Sequence, residues 1–378
     1  MNMEPLRVII SGGGTGGHIF PALSIADAVK AKRPDADILF VGAENRMEMQ
    51  RVPAAGYPIK GLPVSGFDRR HLLKNIAVLI RLAKSQRMAK QIIRSFRPDV
   101  AVGVGGYASG PTLKMAAGSG IPTLLQEQNS YAGVTNKLLA KNAAVICVAY
   151  EGLERFFPAD KIRLTGNPVR QNLLQAGVGH DDAARSYGFD PQKPIVLIVG
   201  GSLGARSVNE SIMAHLDDIR KSDVQFIWQT GKYYFEEMKR RIGDNKPGNL
   251  VVTDFIASMD VAYAAADLVV SRAGAGSISE FCLLGKAVIL VPSPNVAEDH
   301  QTKNAMALVN KGAAVFVKDV EAAEKLVPTA LSLAHDKERL AELRRNILTL
   351  ALPDSASIIA DEVIRLAEEF RAKGAIRN

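Results

Sequence analysis

Short apolar runs closed by glycine alternate along the chain with longer amphipathic stretches. Val8-Ile9-Ile10 is the first run, and Gly12-Gly13-Gly14-Thr15-Gly16-Gly17 follows it directly. A helical pattern occupies residues 21–31. Ile38-Leu39-Phe40-Val41, residues 100–103, Thr123-Leu124-Leu125 and Val145-Ile146-Cys147-Val148 are further buried strands, with helical patterns between them. Strands alternating with helices predict a parallel sheet covered on both faces. The pattern then restarts. Ile195-Val196-Leu197-Ile198-Val199 leads into a second glycine turn, Gly200-Gly201-Ser202-Leu203-Gly204, and a helix over 206–216. Residues 225–229, 250–253, 268–270 and 288–291 are again strand-like. A strand, a glycine loop and a helix thus recur about 190 residues apart, which predicts an α/β chain of two doubly wound domains. We expect an N-terminal domain over 1–168 and a C-terminal domain over 169–352, with polar residues 177–194 as loop or linker. Pro353-Asp354-Ser355 is a stop followed by a helix N-cap. Ile358, Ile359, Val363, Ile364, Leu366 and Phe370 then form the stripe of a closing helix over 353–378, expected to pack back toward the N-terminal domain.

Composition narrows the class. The chain has 378 residues, 47% hydrophobic and 23% charged, enough for two buried cores. No run approaches the length of a membrane-spanning helix, and the first residues lack the order of a secretory signal. The only two cysteines are Cys147 and Cys282. They exclude a disulfide scaffold and a multi-cysteine zinc module and fit a reducing cytoplasm. The net charge of +8 points to an anionic partner.

The glycine turns carry the candidate chemistry. Gly12, Gly14 and Gly17 fit the G-x-G-x-x-G dinucleotide pattern, but the second strand ends at Gly42 with Glu44 late for the ribose acid. No Lys-Ser/Thr ending is present, which argues against a P-loop ATPase. A glycine loop opening a helix suits phosphate, or negative charge developing in a reaction. His18 starts that helix at the carboxyl edge of the first strand, where a histidine can act as general base near neutral pH. A third turn, Ser271-Arg272-Ala273-Gly274-Ala275-Gly276-Ser277, precedes Glu280. That glutamate either closes a capping box with Ser277 or accepts two ribose hydroxyls. Gln126-Glu127-Gln128-Asn129 puts four polar groups after a buried strand, which is costly outside a cleft. Arg170, in Gly166-Asn167-Pro168-Val169-Arg170, can clamp a diphosphate. Glu298-Asp299-His300 looks like a metal cluster but lacks a second ligand set.

Together these motifs resemble the MurG-type N-acetylglucosaminyltransferases of glycosyltransferase family 28. The resemblance rests on Gly13-Gly14-Thr15-Gly16-Gly17-His18 with Pro21, Gly103 to Ser109-Gly110-Pro111, Glu127-Gln128-Asn129, Gly166-Asn167-Pro168-Val169-Arg170, Gly200-Gly201-Ser202, and the Arg272–Glu280 turn with Gln301. Their order and spacing cover nearly the whole chain. The resemblance implies two Rossmann-like domains facing across a cleft, the GT-B fold. It implies that the C-terminal domain binds UDP-N-acetylglucosamine: Ile256 reads the uracil through its backbone, and Glu280 holds the ribose. Ser202, Arg170 and the turn Ala275, Gly276, Ser277, Ile278 and Ser279 face the diphosphate. Gln301 contacts the sugar hydroxyls, and Asn129 reaches the donor from the N-terminal side. Thr15, Gly16, Gly17 and His18 lie at the reacting centre, where lipid I is taken. Gln126 stands where some members have His, so no base is expected there, and His300 stands where some have Gln.

The expected reaction is an inverting single displacement. The 4-hydroxyl of the muramyl sugar attacks the anomeric carbon, with His18 as first choice of base and Glu127 as second. Fixed N–H donors and Arg170 stabilise the leaving diphosphate. No DxD-type pair stands beside the donor turn and no dedicated metal site is expected, although a divalent cation could assist. Between residues 72 and 97 seven basic residues occur without an acid. Ile76, Leu79 and Ile80 with Arg81, Lys84 and Arg87 make this a basic amphipathic element, expected at an anionic membrane surface. The resemblance places the enzyme peripherally on the cytoplasmic face of the inner membrane. A related GT-B transferase with another lipid or natural-product acceptor is the alternative, since the basic stripe does not distinguish lipid acceptors; an NAD(P)-dependent oxidoreductase leaves the second and third turns unexplained. A nucleic-acid partner is not expected from one Trp and 6% aromatics.

Overall fold

The computed structural model describes residues 4–65, 74–169, 177–201 and 203–375. The chain divides into two units: Met1–Val169 with Leu352–Asn378, and Arg170–Ala351. Residues 352–378 thus fall with the first unit.

Unit 1 is built on seven strands: β1 (Arg7–Ser11), β2 (Asp37–Ala43), β3 (Ile59–Leu62), β4 (Val100–Gly103), β5 (Thr123–Glu127), β6 (Val145–Val148) and β7 (Ile162–Leu164). They pair in parallel in the order β3-β2-β1-β4-β5-β6-β7. Side chains of a strand alternate between faces, and β1 shows the consequence. Val8 and Ile10 pack on one face with Ala22 and Ile25 of the first helix (Gly16–Lys32) and with Ile359 and Val363 of the last helix (Ser355–Ala375). Ile9 packs on the other face with Ala89 and Ile93 of the basic helix (Lys74–Phe96). Both faces are covered, which is why the strands read as unbroken apolar runs. The last helix is also held at its surface by Lys32–Asp361 at 2.6 Å and Arg33–Glu368 at 2.8 Å.

Unit 2 has six strands: β8 (Ile195–Val199), β9 (Gln225–Gln229), β10 (Leu250–Thr253), β11 (Leu268–Ser271), β12 (Ala287–Leu290) and β13 (Val315–Phe316). Their order is β10-β9-β8-β11-β12-β13, again all parallel. Each unit therefore reverses strand order once, between β1 and β4 and between β8 and β11, where such sheets take their ligands.

Two local expectations are corrected. The first helix starts at Gly16 rather than residue 21, because Thr15 already takes the extended N-cap conformation, so Pro21 lies inside it. The stretch 177–194, expected as loop, contains a helix, His180–Ser186. Its apolar face is only Ala183 and Ala184, both fully buried, too short a stripe to show a period in the sequence.

Candidate active site

In unit 1 the loop after β1 turns through Gly13 at φ +145° and Gly14 at φ +91°, backbone that glycine adopts without strain. His18 follows in the first turn of the helix. Its Nδ1 lies 3.1 Å from the Gly13 carbonyl oxygen and 3.4 Å from Thr15 Oγ1. A carbonyl only accepts, so these partners assign the proton to Nδ1 and make Nε2 the basic nitrogen. A Cβ on Gly105, in the loop after β4, would lie 2.9 Å from that Nε2, and one on Gly106 2.4 Å from the Gly13 carbonyl oxygen. The two loops at the strand-order reversal thus meet around the imidazole. Buried Ser109 fastens them by donating toward the carbonyls of Ser11 (2.7 Å) and Gly105 (2.9 Å).

Glu127 ends β5 and is buried. Its Oε1 accepts from the Asn129 backbone N–H at 3.1 Å and Nδ2 at 3.3 Å. Its Oε2 accepts from Gly133 N–H at 3.0 Å and Asn136 Nδ2 at 2.9 Å. Four donors engage the two oxygens, so this carboxylate also shapes the 127–133 loop and orients Asn129. The neighbouring amides are also satisfied. Gln126 donates to Asn167 Oδ1 at 3.0 Å, Asn167 to the Gln128 carbonyl at 3.0 Å, and Gln128 to the Val104 carbonyl at 2.8 Å. This is how three buried polar residues, Gln126, Glu127 and Gln128, are tolerated at the end of an interior strand.

In unit 2 the second glycine turn packs tightly on the loop after β9: a Cβ on Gly204 would lie 2.2 Å from the Thr230 carbonyl oxygen. Ser202 and Arg170 lie outside the described residues. After β11, a helix runs Ala275–Leu284 with Gly274 as N-cap. Ala275, Gly276 and Ser277 form its first turn, so the capping box of Ser277 with Glu280 does not occur. Their backbone N–H groups open the helix with no acid in that turn, a local arrangement that favours negative charge. Ile278 is buried, and Ser279 donates to the Ala275 carbonyl at 3.0 Å. Glu280 accepts from the buried Tyr263 hydroxyl at 3.0 Å. Gln301 Oε1 accepts from Ser293 N–H at 2.8 Å. Ile256 is buried in the loop after β10, beside the exposed Phe255. Arg272 bonds Asp319, Ser207 Oγ (3.1 Å) and the carbonyls of Val291 (3.1 Å) and Pro292 (3.3 Å), tying the carboxyl ends of β11 and β12 together.

Residues 8–148 match the N-terminal domain of glycosyltransferase family 28, and residues 195–358 match its C-terminal domain. The UDP-N-acetylglucosamine--N-acetylmuramyl-(pentapeptide) pyrophosphoryl-undecaprenol N-acetylglucosamine transferase of Bacteroides fragilis is 67% identical over 368 residues, 97% of each chain. The chain belongs to glycosyltransferase family 28. The transferase of the same name from Bacteroides thetaiotaomicron is 66% identical, covering 97% of this chain and 99% of that one. The crystal structure of Acinetobacter baumannii MurG superimposes with a TM-score of 0.78 at 28% identity, covering 96% of this chain and 100% of that one. The fold class is accordingly the GT-B class of this family, with two doubly wound parallel-sheet α/β domains.

The family 28 chain carries its basic helix on the side of the sheet away from the first helix. Val78, Ser85, Ala89 and Ile93 are its buried side. Leu79 (54% exposed), Ile80 (66%), Arg81, Lys84 and Arg87 project to solvent. Ile76 lies in the helix by its backbone, and its side chain lies outside the described residues. Among the described residues no helix is long and apolar enough to cross a membrane, and no group of three or more His, Cys, Asp or Glu could hold a metal. Burial pushes the thiols of Cys147 and Cys282 up to about 12, which leaves both inert.

Sequence patterns missed Glu48, Tyr263 and Asn136. Each bonds another candidate site group, Gly14, Glu280 or Glu127, at a spacing that no local pattern marks. Tyr263 carries the one weak signal, a buried aromatic whose hydroxyl must find a partner.

Proposed function

We infer that the chain is an inverting UDP-N-acetylglucosamine-dependent glycosyltransferase. It moves N-acetylglucosamine to the 4-hydroxyl of N-acetylmuramic acid in lipid I, forming lipid II in peptidoglycan synthesis and so serving cell wall biogenesis. The observation that carries this is the 67% identity along 97% of the chain to a transferase named for that donor sugar and that acceptor. The chemistry agrees with it. A sugar hydroxyl is a poor nucleophile, and His18 Nε2, set as the basic nitrogen by the contact of Nδ1 with Gly13, takes its proton during attack. Thr15, Gly16 and Gly17 present the loop's backbone to the reacting centre.

UDP leaves with growing charge on its diphosphate. The helix start at Ala275, Gly276 and Ser277, with Ile278 and Ser279 following, meets that charge together with Ser202 and Arg170. Glu280, steadied by Tyr263, holds the ribose, and the Ile256 backbone reads the uracil. Gln301 has its carbonyl oxygen committed to Ser293, so its amide nitrogen serves the sugar hydroxyls. Asn129, oriented by Glu127, is a further donor contact. The basic helix, with Ile76, Leu79, Ile80, Arg81, Lys84 and Arg87, rests on an anionic membrane surface. That holds the enzyme peripherally on the cytoplasmic face of the inner membrane, beside its lipid-linked acceptor, with no nucleic-acid partner.

A radiolabelled transfer assay with a lipid I analogue and a panel of nucleotide sugars tests this. Labelled product is expected from UDP-N-acetylglucosamine alone. Absence of transfer from that donor, or equal transfer from others, contradicts it.

A further inference from the structure

Glu48 lies in the helix Glu48–Ala54 after β2, four residues beyond Glu44, and is 1% exposed. Its carboxylate turns inward. Oε1 accepts the Ala43 backbone N–H at 2.9 Å, and Oε2 accepts the Gly14 backbone N–H at 2.9 Å. Two glycines make the space it occupies. A Cβ on Gly13 would lie 2.2 Å from Glu48 Oε1, and one on Gly42 2.6 Å from its Cγ. A buried carboxylate is costly unless hydrogen-bonded, and here both oxygens are engaged by backbone donors.

The Gly14 N–H belongs to the same peptide unit as the Gly13 carbonyl. In a planar trans peptide the two point in opposite directions. Glu48 therefore grips one end of this unit, and His18 Nδ1 meets the other at 3.1 Å. Glycine on both sides makes rotation of that peptide easy, so its orientation needs an external hold. We propose that Glu48 is a positioning residue for His18: it fixes the Gly13–Gly14 peptide so that the carbonyl accepts Nδ1–H and Nε2 remains the base. A carboxylate on the N–H also polarises the carbonyl as an acceptor. The peptide thus does for His18 what a direct carboxylate does in other histidine bases. Glu48 does not touch the substrate. The proposal rests on His18 acting as the base.

The experiment compares wild type, Glu48→Gln and Gly42→Ala by 15N NMR of the imidazoles, with the His18 signals assigned by their loss in His18→Ala. Glutamine is isosteric, but its NH2 opposes one of the two backbone N–H groups. Wild type is expected to show the Nδ1–H tautomer at His18. Glu48→Gln is expected to show a mixture, with kcat lower by roughly 10–100-fold, KM for UDP-N-acetylglucosamine within about twofold, and a displaced acid limb in the kcat–pH profile. Gly42→Ala keeps the carboxylate but crowds its stem, and gives the same tautomer change to a smaller degree if Glu48→Gln does not fold. An unchanged tautomer in both variants overturns the proposal, whether or not activity falls, because a fall alone marks a purely structural role. Normal turnover of His18→Ala instead removes the base assignment and leaves the tautomer result standing.

Discussion

Lys286 stands just ahead of β12 and donates to the Ala266 carbonyl at 3.0 Å. Burial first, and the nearby Arg344 second, push its ammonium down from 10.5 to about 8. Between those two values the unfolded chain carries the proton and the fold does not, so unfolding takes up a proton and stability rises with pH across that window. Below it the buried charge is a cost of up to about 3 kcal/mol. Lys286→Met is therefore expected to raise the melting temperature at pH 7. It should also remove the extra rise in stability between pH 8 and 10.5, measured as the difference from wild type by thermal unfolding at several pH values. Equal pH slopes in the two proteins contradict the assignment. At this scale the sequence exposes His18 and its glycines, because glycine spacing and an adjacent histidine are local facts. Glu48 is hidden in it. A carboxylate that must bond Ala43 and Gly14 is recognisable only once the end of β2 and the loop after β1 are side by side.

The basic helix shows how far one element can be read. Its basic and apolar positions are visible along the chain, and the structure divides them. Val78, Ala89 and Ile93 are buried, while Leu79, Ile80, Arg81, Lys84 and Arg87 are exposed. Near an anionic surface each basic residue contributes about 1 kcal/mol. Replacing Arg81, Lys84 and Arg87 with Glu is therefore expected to weaken partitioning to anionic vesicles by roughly a hundredfold or more, with little change in melting temperature because all three side chains are exposed. Sedimentation with vesicles of graded anionic content measures it, and unchanged partitioning contradicts the membrane role. Elsewhere, element ends were harder to place. Pro21 favours a helix start on preference alone, yet the turn at Gly13 and Gly14 lets the helix begin at Gly16. The helix His180–Ser186 escapes notice because two alanines carry its burial.

Over the whole molecule the repeated strand–glycine loop–helix pattern forecasts two sheets, and each has the strand order of a doubly wound domain. The glycine loops after β1 and β8 and the loops after β4 and β11 lie at the carboxyl edges where that order reverses, which follows from topology rather than from any one residue. The apolar stripe of the last helix shows that it must pack, and Ile359, Val363 and Leu366 are buried in the core of the first unit while Ile358 is exposed. Burying each such Ile or Val stabilises by about 1.5–3 kcal/mol. What the chain alone could not supply was the set of partners its carboxylates take: Glu127 bonded by Asn129, Gly133 and Asn136, Glu280 bonded to Tyr263, Glu48 set beneath the glycine turn. We propose His18 rather than Glu127 as the group that deprotonates the acceptor. The single-turnover transfer rate of His18→Ala, with donor and lipid I analogue saturating, tests this most directly. The rate is expected to fall by roughly 10²–10⁴-fold while UDP-N-acetylglucosamine still binds; a rate close to that of wild type would contradict it.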